Sequence, residues 1–190
     1  LSLDAMKSYR GMDVGTAKPT AEDLARVPHH CLSFLDVSES GSMGPFVQRA
    51  ESTIRDLFQK GIPVVCDGGS MMYVKALVEG YCEAPGRDES LRERYRAAAD
   101  ADGVESLHRR LADIDPVSAA RIGARDYKRI ERALEGFDLT GRPISEQQTQ
   151  WGRTRDDFDI RLVGLRRERS ASDDRINRRA PLMLDAGWVD

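Results

Sequence analysis

Apolar residues recur along the chain at two different spacings, and the spacings divide it. Phe46, Ala50, Ile54, Leu57 and Phe58 fall at helical intervals, which predicts an amphipathic helix ending near Gly61. Thr20, with Asp23 three residues on, has the pattern of a capping box, so a short helix is expected over 20–25. Residues 39–45 read as a loop. Pro63-Val64-Val65-Cys66 is short, apolar and β-branched, the pattern of a buried parallel strand. It runs through Asp67-Gly68-Gly69-Ser70 into a helix expected to turn Met72, Ala76 and Leu77 inward.

From 88 to 150 the pattern is helical throughout. Helices are expected at 88–101, 104–112, 116–122 and 126–139, the last carrying Tyr127, Ile130, Ala133, Leu134 and Phe137 on one stripe and stopped by Thr140-Gly141-Arg142-Pro143. Phe158, Ile160 and Leu162 alternate with Asp159 and Arg161, which predicts a strand over 158–164 returning to the sheet. Ser172 is expected to cap a last helix, with Asp173 and Asp174 in its first turn, where the helix dipole favours acids. The expected organisation is an α/β core over 1–84, a helical insertion over 85–152 and a return to the core over 153–190.

Composition narrows the class. Hydrophobic residues make up 40% of the 190 and charged residues 32%, which fits a soluble globular chain rather than a disordered one. No run approaches the roughly 18 apolar residues of a membrane span, and Leu1-Ser2-Leu3-Asp4 has no basic stretch leading into an apolar one, so neither a membrane nor a signal peptide is expected. Three cysteines, Cys31, Cys66 and Cys82, are odd in number and widely spaced, which points to a reducing cytoplasm and to no disulfide or zinc framework. The net charge of −3 conceals an imbalance, because 24 of the 29 basic residues are arginine. Arginine forks match phosphate oxygens, although GC-rich coding gives the same excess. The chain opens without Met on what reads as a strand end and stops just after a helical pattern, so it is expected to be a fragment cut at both ends.

Chemistry concentrates at a few places. Asp4 follows the first short apolar stretch directly, where α/β folds place ligands. A carboxylate there can hold Mg²⁺ through water, accept a proton from an attacking amine, or cap a turn. Lys128, Arg129 and Arg132 share one side of a predicted helix and can grip phosphates or pair with Asp126, Glu131 and Glu135; Arg92 is of the same type. His29-His30 has no metal-spaced partner and reads as packing or turn chemistry.

The run Asp4 to Pro19 resembles the signature of the tRNA dimethylallyltransferases, also called tRNA isopentenyltransferases, which reads approximately D-S-x-x-x-Y-R/K-G-M-D-I-G-T-A-K-P. It matches at Asp4, at Tyr9 to Asp13 and at Gly15 to Pro19, and departs at Ala5, where Ser is usual. Val27-Pro28-His29-His30, then Gly68-Gly69-Ser70-Met71-Met72-Tyr73 with Ser70 for Thr and Asp67 for an apolar residue, continue the family order. Asp126 to Glu135 with Thr140 to Ser145, and Arg175-Ile176 with Arg179, complete it.

The resemblance implies a P-loop NTPase-like parallel sheet core with an all-helical insertion. It implies transfer of a dimethylallyl group from dimethylallyl diphosphate to N6 of the adenosine beside the anticodon of tRNA, by a cytoplasmic, monomeric enzyme that uses Mg²⁺. Asp4 and Arg179 are its implied catalytic residues, with Arg179 on the diphosphate. Contacts to the anticodon stem-loop fall on Asp4, Ala5, Met6, Lys7, Gly69, Ser70, Arg92, Lys128, Arg129, Ile130, Glu131 and Arg132. Pro181, two residues after Arg179, is expected to kink or restart the last helix. The phosphate-cradling G-x-x-x-x-G-K-S/T run is absent from residues 1–190, so this stretch alone is expected to be inactive. An adenylate isopentenyltransferase and a catalytically dead RNA-binding module are the competing readings.

Overall fold

The computed structural model describes residues 1–81, 86–149 and 151–189. The expected boundary at 84/85 and Cys82 lie outside these residues; Cys31 and Cys66 are free thiols. The chain divides into two compact units, Leu1–Tyr81 with Thr154–Asp190, and Cys82–Arg153.

The first unit holds helices α1 (Ala21–Arg26), α2 (Met43–Gln59), α3 (Met71–Glu79) and α9 (Arg169–Asp185). Thr20 and Asp23 form the reciprocal capping box, which stabilises a six-residue helix that buries nothing. Phe46, Val47 and Ala50 of α2 pack against Tyr73, Ala76 and Leu77 of α3, with Leu3 and Cys31, to form the core of this unit. Two details of the expected stripes change. Phe58 lies outside the core at 80% exposed, and α3 turns Tyr73 inward in place of Met72.

The parallel sheet is not there. Among the described residues only two isolated parallel bridges form, Ser2 with Asp67 and Tyr9 with Leu35, and the chain is mostly helical. Residues 1–3 do lie beside 65–67: Leu3 N–H donates to Asp67 O at 2.7 Å and Asp67 N–H to Leu1 O at 2.9 Å. Pro63–Cys66 goes no further into a ladder and is not buried, with Val65 78% exposed. Residues 158–164 form no strand, and Val163 is 84% exposed. A strand exists only when a neighbour takes its N–H and C=O groups, and alternation alone supplies no neighbour.

Gly68 lets the 1–3 and 67–70 segments meet. A Cβ on it would overlap the Leu3 carbonyl, whereas around Gly69 the space is open. Gly68→Ala is therefore expected to cost about 1–3 kcal/mol, as over-packing does, with Gly69→Ala near neutral. Thermal unfolding of the two variants checks this, and equal midpoints would contradict it.

The second unit is helical: α4 (Glu89–Asp102), α5 (Val104–Ile114), α6 (Pro116–Arg121), α7 (Tyr127–Thr140) and α8 (Ile144–Gln147). Tyr95, Leu107, Leu111, Ala119, Ile130, Ala133 and Leu134 make its core. α4, α6 and α7 start at acids: Asp88 accepts from Leu91 N–H, Asp115 from Ser118 N–H and Asp126 from Arg129 N–H. Gly141, left-handed at φ 70°, ends α7. Asp115, almost wholly buried, also accepts from Ser145 N–H at 3.0 Å and so ties α8 down. Burial works to raise its pKa, but these hydrogen bonds prevail and lower it.

α9 begins at Arg169, with Glu168 at the cap position, rather than at Ser172. It runs through Pro181 without a break, although an interior proline forfeits a hydrogen bond at a cost of about 3 kcal/mol or more. No helix is long and apolar enough to cross a membrane among the described residues.

Candidate active site and basic helix

Asp4 stands where the first extended segment breaks into the turn 5–8. Its Oδ1 accepts from Met6 N–H at 2.9 Å and Lys7 N–H at 3.4 Å, an Asx turn that fixes the carboxylate from below. Oδ2 carries no hydrogen bond among the described residues. Ala5 N–H donates to Ser70 Oγ at 2.9 Å, and Ser70 N–H to Leu3 O at 3.1 Å. The Asp4 turn and the Gly68–Ser70 segment are thus stitched together, so Asp4, Ala5, Gly69 and Ser70 belong to one place. The hydroxyl of Ser70, which stands where the family motif has Thr, makes the tie. Met6 is exposed and Lys7 half-buried on the same turn.

The loop after this turn is held by a lysine the motif contains but to which sequence reasoning gave no role. Lys18 Nζ, nearly buried, donates to Tyr9 O, to Asp13 Oδ1 at 2.6 Å and to Ser33 Oγ at 2.9 Å. The signal was present: a lone lysine inside Gly15-Thr16-Ala17-Lys18-Pro19 is worth asking about when lysines are so few. Two open hollows of about 310 and 560 Å³ beside this loop are lined by Lys18, Pro19 and His29, not by Asp4. His29 Nδ1 sits 2.7 Å from Val27 O, a turn contact.

Arg179 is exposed on α9, and neither hydrogen bond nor ion pair joins it to Asp4 among the described residues. The structure does not bring this implied catalytic pair into contact.

The basic helix lies in the second unit. Its residues separate into surface and support. Lys128 has no ion-pair partner among the described residues, and Arg129 pairs loosely with Asp126 at 3.4 Å while staying exposed. Ile130 is fully buried, and Glu131 nearly so, accepting from Tyr127 OH at 2.8 Å. These two were expected to contact tRNA; the Ile130 side chain is instead packed in the core and the Glu131 carboxylate is engaged by Tyr127. Arg92 and Arg132 are also redirected, onto the fully buried Glu135. Arg92 Nε and Nη2 reach its two oxygens at 2.8 and 2.9 Å, Arg132 Nη1 reaches it at 2.7 Å, and Asp88 N–H donates at 2.9 Å. Burial would raise the Glu135 pKa, but these donors prevail and lower it to about 2. Arg92 and Arg132 therefore stabilise the helical unit; Lys128 and Arg129 are the cations left at the surface.

No group of three or more His, Cys, Asp or Glu side chains converges into a metal site among the described residues.

A family model described as IPP transferase matches residues 7–190. The tRNA dimethylallyltransferase of Geobacter metallireducens is 38% identical over the whole chain, which spans 62% of that relative's length. A crystal structure of a tRNA isopentenylpyrophosphate transferase from Bacillus halodurans is 37% identical, with a TM-score of 0.59, over 98% of this chain and 57% of that one. The structure of a eukaryotic dimethylallyltransferase acting on tRNA is like it in fold, with a TM-score of 0.82 at 22% identity, over 98% of this chain and 46% of that one. Motifs in one order from Asp4 to Arg179, a family match over nearly every residue and relatives approaching two-fifths identity agree: the chain belongs to the IPP transferase family.

Proposed function

We propose that the protein carrying this chain transfers a dimethylallyl group from dimethylallyl diphosphate to the exocyclic N6 of the adenosine beside a tRNA anticodon. The observation that supports this best is Asp4, held by two backbone N–H groups on Oδ1 with Oδ2 unengaged. An adenine amine is a weak nucleophile because its lone pair is delocalised into the ring. As N6 forms a bond to the allylic carbon, the carbon–oxygen bond breaks and its electron pair leaves on the diphosphate. The N6 proton passes to Asp4 Oδ2. Fixing Oδ1 to the backbone leaves the second oxygen preorganised to accept it, at no cost in rotamer freedom during reaction. In this reading Arg179 is a cation for the leaving diphosphate. No step is assigned to Mg²⁺.

The test is incubation of the product of the longest reading frame containing these residues with labelled dimethylallyl diphosphate, Mg²⁺, AMP and an anticodon stem-loop RNA. Label on the target adenosine is expected. Label on free AMP in place of RNA would overturn the reading in favour of an adenylate enzyme. RNA binding without transfer would overturn it in favour of a binding module.

The surface cations give a further expectation. Lys128→Ala should flatten the log–log salt dependence of RNA binding by about one. Arg132→Ala, whose guanidinium is already on Glu135, should chiefly lower stability. Binding isotherms at four salt concentrations check the pair, and an unaltered slope for Lys128→Ala would return it to a solvated face.

A further inference from the structure

Tyr73 is a polar side chain of the first core that the chemistry above leaves unused. It is 8% exposed, and its ring stacks on Phe46 with centroids 3.7 Å apart and planes 10° from parallel. α3 is anchored on the Asp4 turn: Ser70 bonds Leu3 and Ala5, and Tyr73 N–H donates to Ser70 O at 2.8 Å. Tyr73 therefore stands less than one helical turn from the residue that holds the neighbour of Asp4.

Its hydroxyl makes no hydrogen bond among the described residues. Buried hydroxyls nearly always have a partner, because losing water without replacement is costly. Phenylalanine would stack on Phe46 equally well and avoid that cost. Burial first, then the nearby Tyr9 and Asp4, push the Tyr73 pKa upward. The phenol stays protonated, a hydrogen-bond donor in the electrostatic reach of a carboxylate acceptor.

A neighbouring donor and acceptor match one edge of a base. Adenine presents its N6 amine beside a ring nitrogen acceptor, N1 on one edge and N7 on the other. Guanine presents O6 where adenine has the amine, which would set an oxygen against the carboxylate. Resting on the prenyl-transfer reading, we propose that Tyr73 is a specificity-determining residue: its hydroxyl donates to a ring nitrogen of the acceptor adenine while Asp4 accepts from N6.

The test uses Tyr73→Phe and stem-loop RNAs whose target is adenosine, 1-deazaadenosine or 7-deazaadenosine. The wild-type protein is expected to lose about 10-fold in kcat/KM on one of the deaza substrates. Tyr73→Phe is expected to lose about 10-fold on adenosine and nothing more on that same deaza substrate, since hydroxyl and nitrogen are two ends of one bond. Its unfolding midpoint should not fall, because the hydroxyl has no partner within the protein. Additive losses, unchanged kinetics on adenosine, or a lowered midpoint would each overturn the assignment. Asp4→Asn is assayed alongside: full activity there would sink the prenyl-transfer reading itself, whereas an inactive Asp4→Asn with a wild-type-like Tyr73→Phe would sink the Tyr73 assignment alone.

Discussion

Glu135→Gln is expected to destabilise the helical unit by about 3–5 kcal/mol, the cost of breaking a buried ion pair from one side. The amide keeps the volume but offers one acceptor oxygen to groups that now use two, and Arg92 and Arg132 lose their counter-charge. The Asp88 N–H, which leads into the cap of α4, loses a charged acceptor as well. pH gives an independent readout. The folded pKa of Glu135 is about 2 against an ordinary 4.5, so the folded state holds its proton more weakly than the unfolded one. This contribution is complete above pH 4.5 and is lost as pH falls from there towards 2, amounting to something on the order of 3 kcal/mol. Urea unfolding of the whole chain at pH 7 and pH 3, followed by circular dichroism, should show a smaller acid loss in the variant than in the parent. Equal acid losses, or a cost at pH 7 below about 1 kcal/mol, would mean that the cluster is better solvated than its burial implies.

Asp4→Asn should lower turnover by about 10²-fold or more, roughly 3 kcal/mol of barrier. The amide oxygen can still take the Met6 and Lys7 N–H groups, so the turn survives. The NH₂ then occupies the position of Oδ2, and a donor meets a donor where a proton must be accepted. RNA affinity should barely change, because the substitution keeps the turn and removes no cation. Single-turnover transfer measured beside RNA binding separates the two effects; near-normal transfer would remove Asp4 from the chemistry.

What the sequence revealed depended on how local the cause was. The ends of α4 to α7 were legible to within two residues because their causes are local: an acid at the cap, Gly141 at the stop, apolar residues every three or four positions; the short α8 was not foreseen. The Asp4 turn was legible as one of several possibilities, since a carboxylate three residues from a chain end says nothing of which N–H it will take. The sheet was misread because Pro63–Cys66 has the composition of a strand, and composition does not provide an adjacent backbone. The burial of Ile130 and Glu131 was hidden for a related reason. A charged helix reads as a solvated one, and nothing near Glu131 or Glu135 reveals that Arg92, some forty residues earlier, will cover them. Tyr73 was hidden by a shift of one position in the inward face of α3, which a short stripe of apolar residues does not resolve.

The lysine that fastens the 9–18 loop bears on how a polyanion would approach. Lys18 spends its ammonium hydrogens on Tyr9 O, Ser33 Oγ and Asp13 Oδ1, the last at 2.6 Å. Seen from farther than the screening length of roughly 8 Å in physiological salt, such a pair is a small dipole with almost no field. The Lys18–Asp13 pair is thus electrostatically quiet at that range: it would neither pull an RNA in nor turn it on the way. In the prenyl-transfer reading, long-range steering would come from exposed cations such as Lys128 and Arg129, and it would weaken as salt rises. Capture and chemistry are then served by different residues, so the rate of encounter can be altered by surface charge without disturbing the groups that act once the RNA has arrived.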